Sequence, residues 1–200
     1  MAADVFLAPH GRQTFHLKSW QDLVSKLNFE IDEFDRTLML DSRPEFRTFR
    51  AINAAVTAWH IGDWFWQWVS EERPELVHEI ARYLAVTIKH STRDKDHVFS
   101  VLAKGVAEKH RSLAICRTIS NAYKHSRSDR FPDLLTTHPV AVLQLLATSD
   151  RNTGDRYTDL RVFADGKVLD MADVLKRAAA AWTDIFRSVG LWSVKGGWTT

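Results

Sequence analysis

The feature that most constrains this chain is the run from Ala51 to Val69, in which Trp59, Trp64, Trp66 and Trp68 fall within ten residues. It is long enough to invite a transmembrane reading. Asn53, His60, Asp63 and Gln67 interrupt it, and a central Asp alone costs roughly 2.5 to 3.5 kcal/mol on membrane insertion. The run is therefore read as a largely buried helix of a soluble protein, with one modest polar stripe. On this reading Trp59 is a core residue whose truncation to Ala costs roughly 3 to 5 kcal/mol.

The flanking sequence supplies further helices. From about Leu17 to Asp35, Trp20, Leu23, Val24, Leu27, Ile31 and Phe34 recur at steps of three and four, which makes one apolar stripe. Ser19 or Thr14 is positioned to cap it. Pro44 suits the first turn of the second helix, which extends to about Ser70. At the helical rise per residue that is roughly 40 Å. The stretch "ERPELVHEIARYLAVTIKHS" predicts a third helix, again with a proline in its first turn. A fourth begins near Asp96 and runs through "HRSLAICRTISNAYKH", with a break expected at Gly105.

After Pro132 the pattern changes. "PVAVLQLLATS" and "RYTDLRVFA" are rich in strand formers and are separated by the turn-like "DRNTGD". Asp165-Gly166 signals a tight hairpin, because a type I′ turn needs positive φ at both central residues. Asp170 with Asp173 marks a helix start, and "MADVLKRAAAAWTDIFRSV" reads as the last helix, stopped by Gly190. The expected fold is mainly α: a bundle of about five long helices with a small antiparallel β insertion, about residues 138–169, before the final helix. One domain spans residues 1–190, and 191–200 forms a Trp- and Gly-containing tail in which Trp192 is able to dock.

Composition narrows function chiefly by exclusion. Net charge is only +2, so any basic surface for nucleic acid has to be local. The single cysteine, Cys116, rules out an intramolecular disulfide and fits a reducing, cytoplasmic setting. It lies on the apolar side of its helix and reads as core. The amino terminus lacks a basic start followed by a long apolar run, so no secretory signal is expected. Phosphate-loop, dinucleotide-binding and nucleophile-elbow motifs are missing from the sequence.

Two polar constellations remain. Arg117, Asn121 and His125 stand four residues apart and form a slightly drifting row on one helix, while Ile115, Ile119, Ala122 and Tyr123 lie towards the other side. Such a row joins an anion holder, an orienting carboxamide and a proton carrier. Its plainer reading is a solvated face, with Lys124 and His125 favoured near a carboxyl-terminal helix dipole. His60 and Asp63, three apart, invite an imidazole–carboxylate pair. A metal centre needs further ligands at signature spacings that the sequence lacks, so neither metal nor cofactor is expected. The plainer reading makes these two residues the wet edge of a buried helix.

The segment "SNAYKH", residues 120–125, resembles the Arg-Asn-x-x-x-His type of motif found in HEPN domains. Those are mostly α-helical bundles, often dimeric, and many are metal-independent ribonucleases of defence and toxin systems. The resemblance implies Asn121 as the polar residue of the motif and His125 as general acid/base, with a homodimer placing two copies together. It covers about six residues within a helical context. The motif arginine falls on Ser120, and a serine supplies no cation for a phosphorane-like transition state. Arg117 is the nearest substitute, at a spacing outside the family's usual window.

Three readings of function follow. The first is a divergent HEPN-like protein that associates with RNA or a nucleotide through Arg117, Asn121, Lys124 and His125, with weak or no cleavage. The second is a noncatalytic module whose Trp-rich helices bind a protein partner or a second copy. The third is a bundle that binds a small molecule or metal at His60 and Asp63. None involves a membrane.

Overall fold

Ser19 begins the first helix by a reciprocal cap. The Asp22 amide donates to Ser19 Oγ at 3.2 Å, and Asp22 Oδ2 accepts from the Ser19 and Lys18 amides at 2.9 and 2.8 Å. The Lys18 amide in particular holds the Asp22 carboxyl below its ordinary value. In the computed structural model, which describes residues 17–40, 44–88, 95–124, 142–149, 156–164, 166–193 and 197–198, α1 then runs Trp20–Leu40 and α2 runs Pro44–Glu72. They pack antiparallel, as Glu33 meets Arg50, Lys26 donates to Thr57 and Trp20 meets Phe65 along the pair. Ala51, Ala54, Ala55 and Ala58 of α2 are fully buried, and their small side chains let neighbouring helices approach closely.

The expected third helix is much shorter than its sequence suggests. α3 covers only Leu76–Tyr83, and Pro74 lies in the turn before it. It ends in a two-bond lock: the Ala85 amide donates to Arg82 O at 3.1 Å and the Val86 amide to Ala81 O at 2.9 Å. This places Ala85 at φ 56°, a left-handed conformation that costs a residue with a Cβ about 1 to 2 kcal/mol. The same lock closes the last helix with Gly190 at φ 73°, where glycine adopts the conformation without that cost.

α4 (Lys95–Lys109) and α5 (Arg111–Lys124) replace the single interrupted helix, but the break falls at His110. Gly105 is buried inside α4 and serves a close approach instead. A Cβ there would lie 2.7 Å from Val86 Cγ1, so the segment after α3 presses directly on the glycine.

The insertion is a three-stranded antiparallel sheet, with β1 (Val142–Ser149), β2 (Arg156–Ala164) and β3 (Lys167–Asp170) in that order. Gly166, at φ 70°, sits in the β2–β3 turn. Leu160, Val162 and Ala164 face the core, whereas Phe163 and Val168, paired across the strands, are exposed. Asp170 then caps α6 (Met171–Ser188), its Oδ1 accepting from the Ala172 amide at 2.7 Å and, more weakly, from Asp173 at 3.4 Å. Two short strands, β4 (Trp192–Ser193) and β5 (Gly197–Trp198), pair after it, and Trp192 packs against the core.

The fold is mainly α, with six helices among the described residues. Among them no helix is long and apolar enough to cross a membrane. The tryptophans are largely absorbed by one aromatic core. Trp20, Trp66 and Trp182 are buried, while Trp59, Trp64 and Trp68 are only partly buried against the same cluster. Trp59 is therefore not the core residue expected, and its truncation removes less packing than a fully buried indole would.

Candidate functional site

At about 100° per residue, Arg117 and Asn121 lie on one side of α5, and the buried Ile115, Cys116, Ile119 and Ser120 lie on the others. Ala122, expected in the core, is exposed. Arg117 and Asn121 are partly exposed. The guanidinium of Arg117 sits over the ring of Trp59, 5.3 Å from its centroid, within the range of a cation–π contact. His125 and the side chains of Tyr123 and Lys124 lie outside the described residues.

Trp59, packed in part against the core, lies one turn from Asp63 at the margin of the polar stripe of α2, which also carries His60. His60 Nδ1 lies 2.7 Å from Asp63 Oδ2. An exposed pair of this kind contributes little to stability, about 0 to 1 kcal/mol. Its chemical effect is orientation: in the tautomer that donates from Nδ1, Nε2 faces outward as an acceptor. Arg117 joins the α5 row to α2 through Trp59, and Asn121 stands one turn further along α5. The edge thus offers an aromatic face, a cation and an oriented imidazole. Among the described residues, no group of three His, Cys, Asp or Glu side chains has an arrangement that would hold a metal ion.

Ser120 is fully buried, and its Oγ has no hydrogen-bond partner among the described residues. Cys116 is equally enclosed, and burial pushes its thiol up to about 12, which leaves no thiolate for nucleophilic chemistry near neutral pH.

A second feature lies around the other side of α5. A cleft of about 620 Å3 opens between the α4–α5 junction, the β2–β3 hairpin and α6. His110 forms its hinge: its amide donates to Val106 O at 2.9 Å, and its carbonyl accepts from Leu113 and Ala114 at 3.0 and 3.1 Å. Its Nε2 lies 3.2 Å from the Tyr83 hydroxyl, with the two rings stacked 5.9 Å apart. Lys109 Nζ donates to Tyr83 O at 2.7 Å and covers the Tyr83 ring at 4.3 Å.

Burial lowers the His110 pKa; Asp184 opposes that shift and Lys109 adds to it. Burial raises Tyr83, with Asp184 acting in the same direction. The pair therefore holds a neutral imidazole against a neutral phenol near pH 7. The available sequence signal for this pair was the cluster Lys109-His110-Arg111 at a slip in the helical period.

The lowered His110 pKa sets a pH dependence. Below the ordinary value of 6.5, the unfolded chain takes up a proton that the folded chain resists. Stability should therefore fall as pH drops through that value towards the lower folded pKa. His110→Gln is expected to lose less stability than the wild type between about pH 7.5 and 5.5. Urea unfolding at both pH values measures this, and identical losses in the two proteins would show that His110 is not desolvated.

Compared with protein-family models, curated proteins and solved structures, the chain matches none.

Proposed function

We propose that the chain is a divergent HEPN-like, RNA- or nucleotide-associated protein whose binding edge is formed by α2 and α5 and which cleaves RNA weakly or not at all. The observation that carries this reading is the Arg117–Trp59 contact. A partly exposed indole with a guanidinium on its face is a stacking platform beside a phosphate binder, a combination used for single-stranded nucleic acid. The His60–Asp63 pair and Asn121 add polar contacts beside it, and His125 keeps the role that the motif resemblance implies. Weak cleavage follows from Ser120, because the cation expected at that position is replaced by an enclosed hydroxyl.

Homodimerisation is part of the proposal. It draws on the exposed Phe163–Val168 pair on the outer face of the sheet, since most of the tryptophan surplus is accounted for inside the core. Light scattering of the wild type and Phe163→Glu tests this part.

The decisive assay incubates the protein with mixed single-stranded RNA in EDTA and compares wild type, Trp59→Ala, Arg117→Ala and His125→Ala. Wild type is expected to bind, and Trp59→Ala to weaken binding by roughly 1 to 3 kcal/mol, as for one lost base stack. Robust cleavage by wild type would refute the catalytic part. Absence of RNA binding would reject the whole reading and favour a protein-interaction module.

A further inference from the structure

We infer that the cleft between the start of α5, the β2–β3 hairpin and α6 is a binding site for a phosphorylated small molecule of mononucleotide size. At about 620 Å3 its volume falls in the range of small-molecule sites. Three elements place basic residues along it, since Arg111 opens α5, Lys167 begins β3 and Arg177 lies on α6, while the Lys109 ammonium at the end of α4 turns to Tyr83. Lys167 and Arg177, brought to one concave, partly apolar space, offer local positive charge to an anionic ligand.

Three acids share the cleft, Asp170, Asp173 and Asp184, and two of them already face partners. Asp170 spends its carboxylate on the α6 amides, with Arg161 a further 3.9 Å away. Asp184 faces Arg187 at 3.9 Å. Lys167 and Arg177 form no ion pair among the described residues, although Asp173 stands one helical turn from Arg177. These two cations are the ones available to a phosphate, and Arg177 has the planar fork that matches its oxygens.

The remaining lining selects the rest of the ligand. Ile115, Leu169, Val174 and Ala181 form an apolar floor suited to a flat ring. Asp173 and Asp184 present acceptors for hydroxyl or amino groups, and the Ser112 hydroxyl is a further polar contact. Inorganic phosphate would fill little of this space, and an uncharged nucleoside would leave the cations unanswered.

The site is independent of the RNA reading. Arg111, Ser112 and Ile115 line the cleft, whereas Arg117, two residues beyond Ile115, is turned about 200° around α5 and rests on Trp59.

Isothermal titration of the full chain with AMP, GMP, CMP, UMP, adenosine and inorganic phosphate tests the assignment. At least one mononucleotide should bind with an affinity that falls as salt rises, and adenosine and phosphate should each bind about tenfold or more weakly. Lys167→Ala and Arg177→Ala, both at exposed positions, should each weaken that binding by about tenfold while leaving the circular dichroism spectrum unchanged. Arg117→Ala should leave mononucleotide affinity intact while reducing RNA binding, so failure of either site is seen separately. No binding of any mononucleotide at roughly 1 mM would overturn the proposal. So would adenosine binding as tightly as AMP, or full affinity retained by both cleft variants.

Discussion

Ser120→Arg is expected to cost roughly 3 to 5 kcal/mol, the range for an unpaired charge confined to a protein interior. Ser120 is fully enclosed on the face of α5 that also buries Cys116. A guanidinium there must either remain charged without a partner or force α5 away from the bundle. Ser120→Ala is the matching control. Because the hydroxyl has no hydrogen-bond partner among the described residues, its removal should leave stability unchanged or slightly higher. Urea unfolding followed by circular dichroism measures both. A Ser120→Arg protein as stable as the wild type would mean that this face of α5 points to solvent. The same experiment bears on the proposed function, since an arginine placed at this position would strain the fold before it supplied a cation to RNA.

Trp182→Ala should lose roughly 3 to 5 kcal/mol, as large aromatic deletions in a packed core do. The indole is almost fully buried, and its Nε1 donates to Ala58 O at 2.7 Å, which ties α6 to the middle of α2. Its ring stacks on Phe186 at 5.7 Å and meets Trp66 and Phe65 at 6.2 and 6.4 Å. Gly62 completes the seat, for a Cβ there would stand 3.4 Å from both Trp182 Cη2 and Trp66 Nε1. Trp182→Phe keeps much of the apolar contact and loses one hydrogen bond, while the Ala58 carbonyl stays within the α2 helix ladder, so the cost is about 0.5 to 1.5 kcal/mol. Denaturant titration should therefore rank wild type above Trp182→Phe and Trp182→Phe above Trp182→Ala. Equal stability of Trp182→Ala and wild type would remove this indole from the core.

Local chemistry was legible in the sequence wherever neighbours along the chain suffice. Ser19, Pro44, Asp170 and Gly190 mark helix ends because capping and φ preference act within a few residues. The hairpin at Gly166 and the periodic stripe of α1 belong to the same class. Polar interruption of the Ala51–Val69 run likewise distinguished a bundle helix from a membrane span.

Tertiary packing decided the rest. Whether Trp59 or Trp182 carries the core depends on where α6 docks against α2, and no period along α2 encodes that. Gly105 looked like a helix break because glycine is a poor helix former, yet it is retained inside α4 where Val86 leaves no room for a Cβ. His110 became the break and, with Tyr83, Lys109 and Asp184, a candidate site assembled from residues up to about a hundred positions apart. Arg117 reached Trp59, and Ser120 turned inward, because α5 must bury one face against α2. Sequence periodicity reports that a face is apolar, but burial and charge convergence depend on which other faces meet it, and those meetings are made only when the chain packs.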